Sequence, residues 1–210
     1  MDGLSAGDEL LTVREATDHV GNIFSGEMTV KYTQYDASIS PCGHYRHWLT
    51  RGWADGPMLA WVMLNPSTAD GWEDDPTIRR CVSFAYSWGY GSIVVLNLFD
   101  LRATSPKALA EATDPVSPEN GSTLAHWLCD NVPNVILAWG SHRMARERGR
   151  LLVYRLRQWG VDPYCLGVTR MGDPRHPLYL PKRLRPVPFD WENTESPEPA
   201  GEVVKGQTRK

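Results

Sequence analysis

The 210-residue chain is poor in the features that announce a function at first sight. It has four cysteines, Cys42, Cys81, Cys129 and Cys165, and none are close enough together to form a C-x-x-C pair. Neither a zinc knuckle nor a cysteine-held iron–sulfur cluster is therefore expected, and no metal or other cofactor is called for. Their apolar and aromatic neighbours point to buried thiols. No histidine pair has H-E-x-x-H spacing, and there is no Walker A loop, G-x-G-x-x-G run or G-x-S-x-G elbow. These gaps lower the readings of metalloprotease, nucleoside triphosphatase, dinucleotide dehydrogenase and serine hydrolase. The first residues, M-D-G-L-S-A-G-D-E, lack the basic and apolar regions of a secretion signal. No apolar run reaches the roughly 18 residues of a membrane span. A cytoplasmic protein with no membrane partner is the expectation, and a monomer the expected state.

The chain is rich in tryptophan, with nine, in an apolar fraction of 41% that is ample for a core. Net charge is −3, but it is unevenly spread. Residues 1–21 and 190–210 are acidic, with nets of −4 and −2, whereas 141–186 carries eleven Lys and Arg against Glu147, Asp162 and Asp173. Such a stretch can attract phosphates, although a solvated helix face has the same composition. Three parts follow: a polar N-terminal arm (1–21), one α/β domain (22–189) and a Pro/Glu-rich tail (190–210).

Within the domain, 22–50 alternates and is rich in Thr, Tyr and Val, as antiparallel strands are. Apolar runs at 58–64, 92–96, 134–138 and 162–166 read as buried strands. Helical patterns lie between them at 77–88, 106–111, 118–130 and 141–159. The fold expected is a three-layer α/β/α sandwich on a short four-stranded parallel sheet, with an N-terminal antiparallel β extension. Right-handed crossovers place all four strand C-termini at one edge, where such sheets bind ligands.

The four edge loops carry Asn65-Pro66-Ser67, Asn97 with Arg102, Trp139-Gly140 and Arg175-His176-Pro177. Asn65 suits a water or a ligand carbonyl, or simply starts a turn. Asn97 offers a donor and an acceptor side by side, as reading a base edge requires, or forms an Asx turn. Asp70, Asp74 and Asp75 share a loop. Asp75, just before Pro76, has the position of an N-cap, whereas Asp70 and Asp74 stay open as a metal-binding pair or a general base. Arg79 and Arg80 sit where the helix dipole disfavours them, and a salt bridge to Asp74 is the ordinary outcome. His176, fixed between Arg175 and Pro177, suits the stabilisation of an anionic leaving group, or is a structural histidine, as lone histidines more often are.

The strings L-N-P-S-T-A-D, D-D-P-T-I-R-R-C, W-G-Y-G, N-L-F-D-L-R-A-T, A-W-G and G-D-P-R-H-P-L-Y-L resemble the bacterial and phage domain-of-unknown-function family 1643, over roughly 40–189. The motif order is also similar to that of the uracil-DNA glycosylase superfamily: Asn65-Pro66 after the first core strand, Asn97 ending the second, Trp139-Gly140 ending the third, and His176-Pro177 last. That resemblance implies a metal-independent protein that recognises a damaged or modified base in DNA and cleaves its N-glycosidic bond. Asn65, His176 and Asp70 would be catalytic. Asn97, Phe99, Pro66 and Ser67 would hold the base. Arg102, Arg143, Arg146 and Arg175 would meet phosphates, and Leu178 or Tyr179 would wedge the stack. Leu178 replaces the Ser usual after His-Pro. The alternatives are an enzyme of free nucleotides or nucleosides, and a non-catalytic reader of a modified base.

Overall fold

The computed structural model describes residues 30–67, 69 and 73–190. The arm at 1–21, Asp70, Trp72 and all of the tail except Asp190 lie outside the described residues. The elements run β1 (Gln34–Ile39), β2 (Arg46–Gly52), β3 (Met58–Met63), α1 (Pro76–Ser87), β4 (Ser92–Asn97), α2 (Pro106–Glu111), α3 (Asn120–Asp130), β5 (Asn134–Leu137), α4 (Ala145–Gln158), β6 (Pro163–Cys165), a 3-10 turn (Pro177–Tyr179) and β7 (Val187–Pro188).

All seven strands form one mixed sheet in the order β1-β2-β4-β3-β5-β6-β7. The pairings β4/β3, β3/β5 and β5/β6 are parallel, and β1/β2, β2/β4 and β6/β7 are antiparallel. The protein is thus mixed α/β as expected, but its sheet is wider than the four strands read from sequence. Two causes account for the difference. β2 docks directly on β4, with Leu49 opposite Val95, so the N-terminal hairpin continues the main sheet. β7 is only two residues long and leaves no periodic pattern to read.

The alternation of side chains along the strands explains the two cores. Leu59, Trp61 and Met63 of β3 join Ile93, Val95 and Ile136 on one face, under Ile78, Cys81 and Phe84 of α1. Ala60, Val62, Val94 and Leu137 face the other way, against Leu109 of α2, Leu128 of α3 and Leu152 of α4. Each such fully buried large side chain contributes about 1.5–3 kcal/mol. The chain passes from β3 leftward to β4 across the first face. It then returns rightward to β5 and β6 across the second. The direction of travel therefore reverses at β3, and the loops after β3 and β5 leave toward opposite faces. That split opens a crevice at the C-terminal ends of these strands.

Local signals fix α1. Asp75 caps it, accepting from the Thr77 and Ile78 amides at 2.8 and 2.9 Å, and Pro76 occupies the first turn. Gly89, at φ 84°, turns the chain out, and Tyr90 N–H closes on Ala85 O at 3.0 Å. Gly91 admits no side chain, since a Cβ there would lie 2.4 Å from Ala54 O. α4 begins at Ala145, not at 141, because Ser141 to Met144 form turns instead. The cysteine expectation holds for Cys81 and Cys165 only, as Cys42 and Cys129 are exposed and all four are free.

Candidate functional site

The crevice is a cleft of about 590 Å³, with walls from the ends of β3, β4 and β5 and from the 3-10 turn. The first wall is Met63 to Asn65 together with Ser67. The Asn65 Nδ2 group donates to Pro66 O and Ala103 O, both at 2.8 Å. Both of its hydrogens are committed to pinning the loop, so only the Oδ1 acceptor remains for an occupant. Pro66 is buried and is absent from the wall. Its carbonyl takes the Asn65 amide and the Ala103 N–H, so its part is to shape the loop.

Asn97 ends β4 opposite Met63 and is 1% exposed. Its Nδ2 and Oδ1 both meet no hydrogen-bond partner among the described residues, and the side chain lines the cleft. An amide left in this state costs about 1–3 kcal/mol. It is not an Asx turn.

From β5 come Trp139, Ser141 and His142. Gly140 takes φ 73°, bringing this loop against the next, where a Cβ at Gly140 would lie 3.5 Å from His176 Cβ. The Nδ1 atom of His142 is buried without a partner among the described residues. The His176 Nδ1 atom accepts the Leu178 N–H at 3.4 Å, which places the proton of the neutral ring on Nε2. Burial lowers the His176 pKa, and the Asp75 carboxylate in the same wall offsets this in part. The group is thus a neutral imidazole with one N–H to give.

Ser67, Leu178 and Tyr179 also line the cleft, the last of them 91% exposed at its mouth. The other expected residues do not. Phe99 lies in the second core with the Arg148 guanidinium 5.3 Å above its ring. Arg102 reaches Gly43 O at 3.3 Å. Arg146 pairs with Asp173 at 3.6 Å, and Arg143 and Arg175 are exposed away from the wall. The Asp74 carboxylate pairs with Arg51 at 2.8 Å and with the Tyr32 hydroxyl, while Arg79 takes only the Asp74 carbonyl.

Arg46, His142 and Ser105 are among the wall residues that the sequence does not single out. Arg46, 2% exposed on β2, lines the cleft and donates to Ala69 O at 2.6 Å. Its strand is three elements of chain from β4, beside which it lies, and no local pattern predicts that β2 pairs with β4. His142 was assigned to a helix that in fact starts three residues later. Ser105 is the cap of α2, accepting from Ala108 N–H at 3.1 Å, and Ser-Pro before a helix signals only that role.

Among the described residues no group of three His, Cys, Asp or Glu is placed to hold a metal ion. No described helix is long and apolar enough to cross a membrane.

The fold and cleft define an α/β protein with a ligand-sized crevice at the strand C-termini. Its family is shown directly: the model described as "Protein of unknown function (DUF1643)" matches residues 46–178, and the chain belongs to that family. The match takes in the cleft-lining residues from Arg46 to Leu178 and ends one residue before Tyr179. Neither a curated protein nor a solved structure matches the chain.

Proposed function

We propose that the cleft receives a nucleobase and that the protein is a uracil-DNA glycosylase-like base-processing enzyme. The observation that carries this reading is the buried Asn97 amide. A donor and an acceptor side by side, both without partners among the described residues, match a flat heterocycle edge presenting the complementary pair. The parallel order β4-β3-β5-β6, with the cleft at its C-terminal edge, is consistent with the glycosylase resemblance but does not by itself define chemistry.

In the reaction, the C1′–N bond breaks and its electron pair leaves with the base. The Nε2–H of His176 stabilises the anion that develops on the base. A water attacks C1′, and the proton it loses ends, through solvent, on the base anion that has departed. Asn65 Oδ1 accepts a hydrogen bond from that water and orients it, but an amide is too weak a base to take the proton. A base within a duplex must first be flipped out.

The test is incubation with single-stranded and duplex oligonucleotides bearing uracil, hypoxanthine or hydroxymethyluracil, followed by alkaline cleavage at abasic sites. Strand breaks that disappear in Asn97→Ala are expected. Binding without breaks would leave a reader of modified bases, and neither binding nor breaks would overturn the proposal. One observation favours a second substrate, a free nucleotide. Arg146 and Arg157 are already paired at the surface with Asp173 and Asp190, and Arg148 turns inward to Asn120, which thins the basic track available for a DNA backbone. Salt separates the two, because DNA binding weakens steeply as salt rises and nucleotide binding does not.

A further inference from the structure

The Asn97 amide makes no bonds that would hold its own rotamer among the described residues, so its direction depends on the main chain beneath it. That main chain is held on two sides. On one, Leu98 N–H and Phe99 N–H donate to Met63 O and Leu64 O of the β3 end, each at 2.9 Å. On the other lies a pair of side chains from two different helices. Asn120, the first residue of α3 and 1% exposed, donates through Nδ2 to the Asn97 carbonyl at 3.2 Å. Arg148 of α4 donates through Nε to the Leu98 carbonyl at 2.7 Å. The two are joined, because Arg148 Nη2 donates to Asn120 Oδ1 at 2.8 Å.

We infer that Asn120 and Arg148 form a positioning clamp for the base-reading amide. The inference rests on the cleft being the base site. The planar guanidinium is suited to this, since Nε and Nη2 diverge in one plane and reach two acceptors at fixed angles. The Phe99 ring lies beneath it and fixes that plane. The clamp carries α3 and α4 onto two consecutive carbonyls, so a tilt of either helix turns Asn97 within the cleft. This also accounts for an arginine placed over the apolar side of a basic helix, where phosphate binding would need it turned outward.

The test uses the full chain labelled with nitrogen-15, and the Asn97 side-chain amide signals are assigned by their loss in Asn97→Ala. Arg148→Lys supplies one donor nitrogen, on a flexible stem, where two diverging ones in a plane are needed. Asn120→Asp keeps the shape but removes the donor to the Asn97 carbonyl. In both variants the Asn97 amide signals shift or split. The rate of base release at saturating oligonucleotide falls on the order of 100-fold, as expected for a displacement of about 1 Å, while KM holds. Arg155→Lys, exposed on the same helix, changes neither readout. Should Arg148→Lys fail to fold, Asn120→Asp decides. Unchanged Asn97 signals in a folded variant overturn the clamp. If the unaltered protein releases no base, the glycosylase reading falls on that result alone, and the amide signals still decide the positioning.

Discussion

Asn97 and Asp100 stand three residues apart at the end of β4, 1% and 0% exposed, and their surroundings are opposite. Asp100 is saturated. It accepts from Ser117 N–H at 2.8 Å, from Ser117 Oγ at 2.5 Å and from His47 Nδ1 at 3.0 Å. Ser, His and Asp together suggest a nucleophilic triad, but the geometry is wrong. His47 and Ser117 both use Asp100 as their acceptor, and the only His47 nitrogen near the Ser117 hydroxyl is the same Nδ1, at 3.5 Å. A triad needs its histidine to bridge serine and carboxylate through two nitrogens. Asp100 therefore binds the β4 end to β2 and to the start of α3, whereas the Asn97 amide meets no partner among the described residues. A buried polar group with its bonds made belongs to the fold, and one without them calls for a physical reason, which the proposed base supplies.

The largest expected effect tests the saturated half. Asp100→Ala leaves three donors facing a void, and loss of one partner from such a buried cluster costs about 3–5 kcal/mol. For a chain of this size that lowers Tm by on the order of 10 °C, read by tryptophan fluorescence on heating. A shift under 2 or 3 °C, on the same scale, would mean that the cluster is not structural.

The unsaturated half predicts the reverse. Asn97→Leu has similar volume and removes an amide that has no partners among the described residues, so stability stays level or rises by about 1 kcal/mol. Base release and base binding are lost together. Urea midpoints measured beside the abasic-site assay check both halves. Marked destabilisation would show that Asn97 has structural bonds, and the contrast with Asp100 would collapse.

A smaller effect separates His176 from both. Burial holds its folded pKa below the unfolded histidine value, so the unfolded chain binds the proton more readily. Its neutral form is fully accommodated above that unfolded value. As pH falls from there through the folded pKa, stability is lost. His176→Gln removes that part of the acid-side decline and leaves stability near neutral pH unchanged. Equilibrium unfolding of the two proteins at neutral pH and on the acid side should therefore diverge only in acid.

How far the sequence revealed this arrangement depends on the range over which each signal acts. The strands under Asn65 and Asn97 were readable because both are continuous apolar runs, and their C-terminal edge follows from strand–helix alternation alone. The loop order then brings Asn65, Asn97 and His176 to one cleft. What stayed hidden involves contacts across the chain. Arg46 joins the wall only because β2 pairs with β4. Phe99 sits just beyond the strand end, where a stacking role was plausible, yet it lies in the second core under Arg148. The arginines of α4 read as a phosphate track because composition does not say which way a side chain turns, and Arg148 turns inward.

The smallest effect comes from Asp75, a wall residue with both a structural bond and an electrostatic influence on the site. Its carboxylate caps α1 and draws the His176 pKa upward against burial. Asp75→Asn separates the two parts, since asparagine caps about as well as aspartate and carries no charge. Stability should hold within about 0.5 kcal/mol, because the side-chain oxygen still accepts from Thr77 and Ile78. The upward pull on His176 disappears, so its ring resonance, followed by NMR through a pH titration, moves at a lower pH than in the parent. An unchanged titration would mean that water in the cleft screens the two groups from each other. The cleft would then be wetter than a site that leaves an amide unpaired, and the contrast between Asn97 and Asp100 would lose its physical basis.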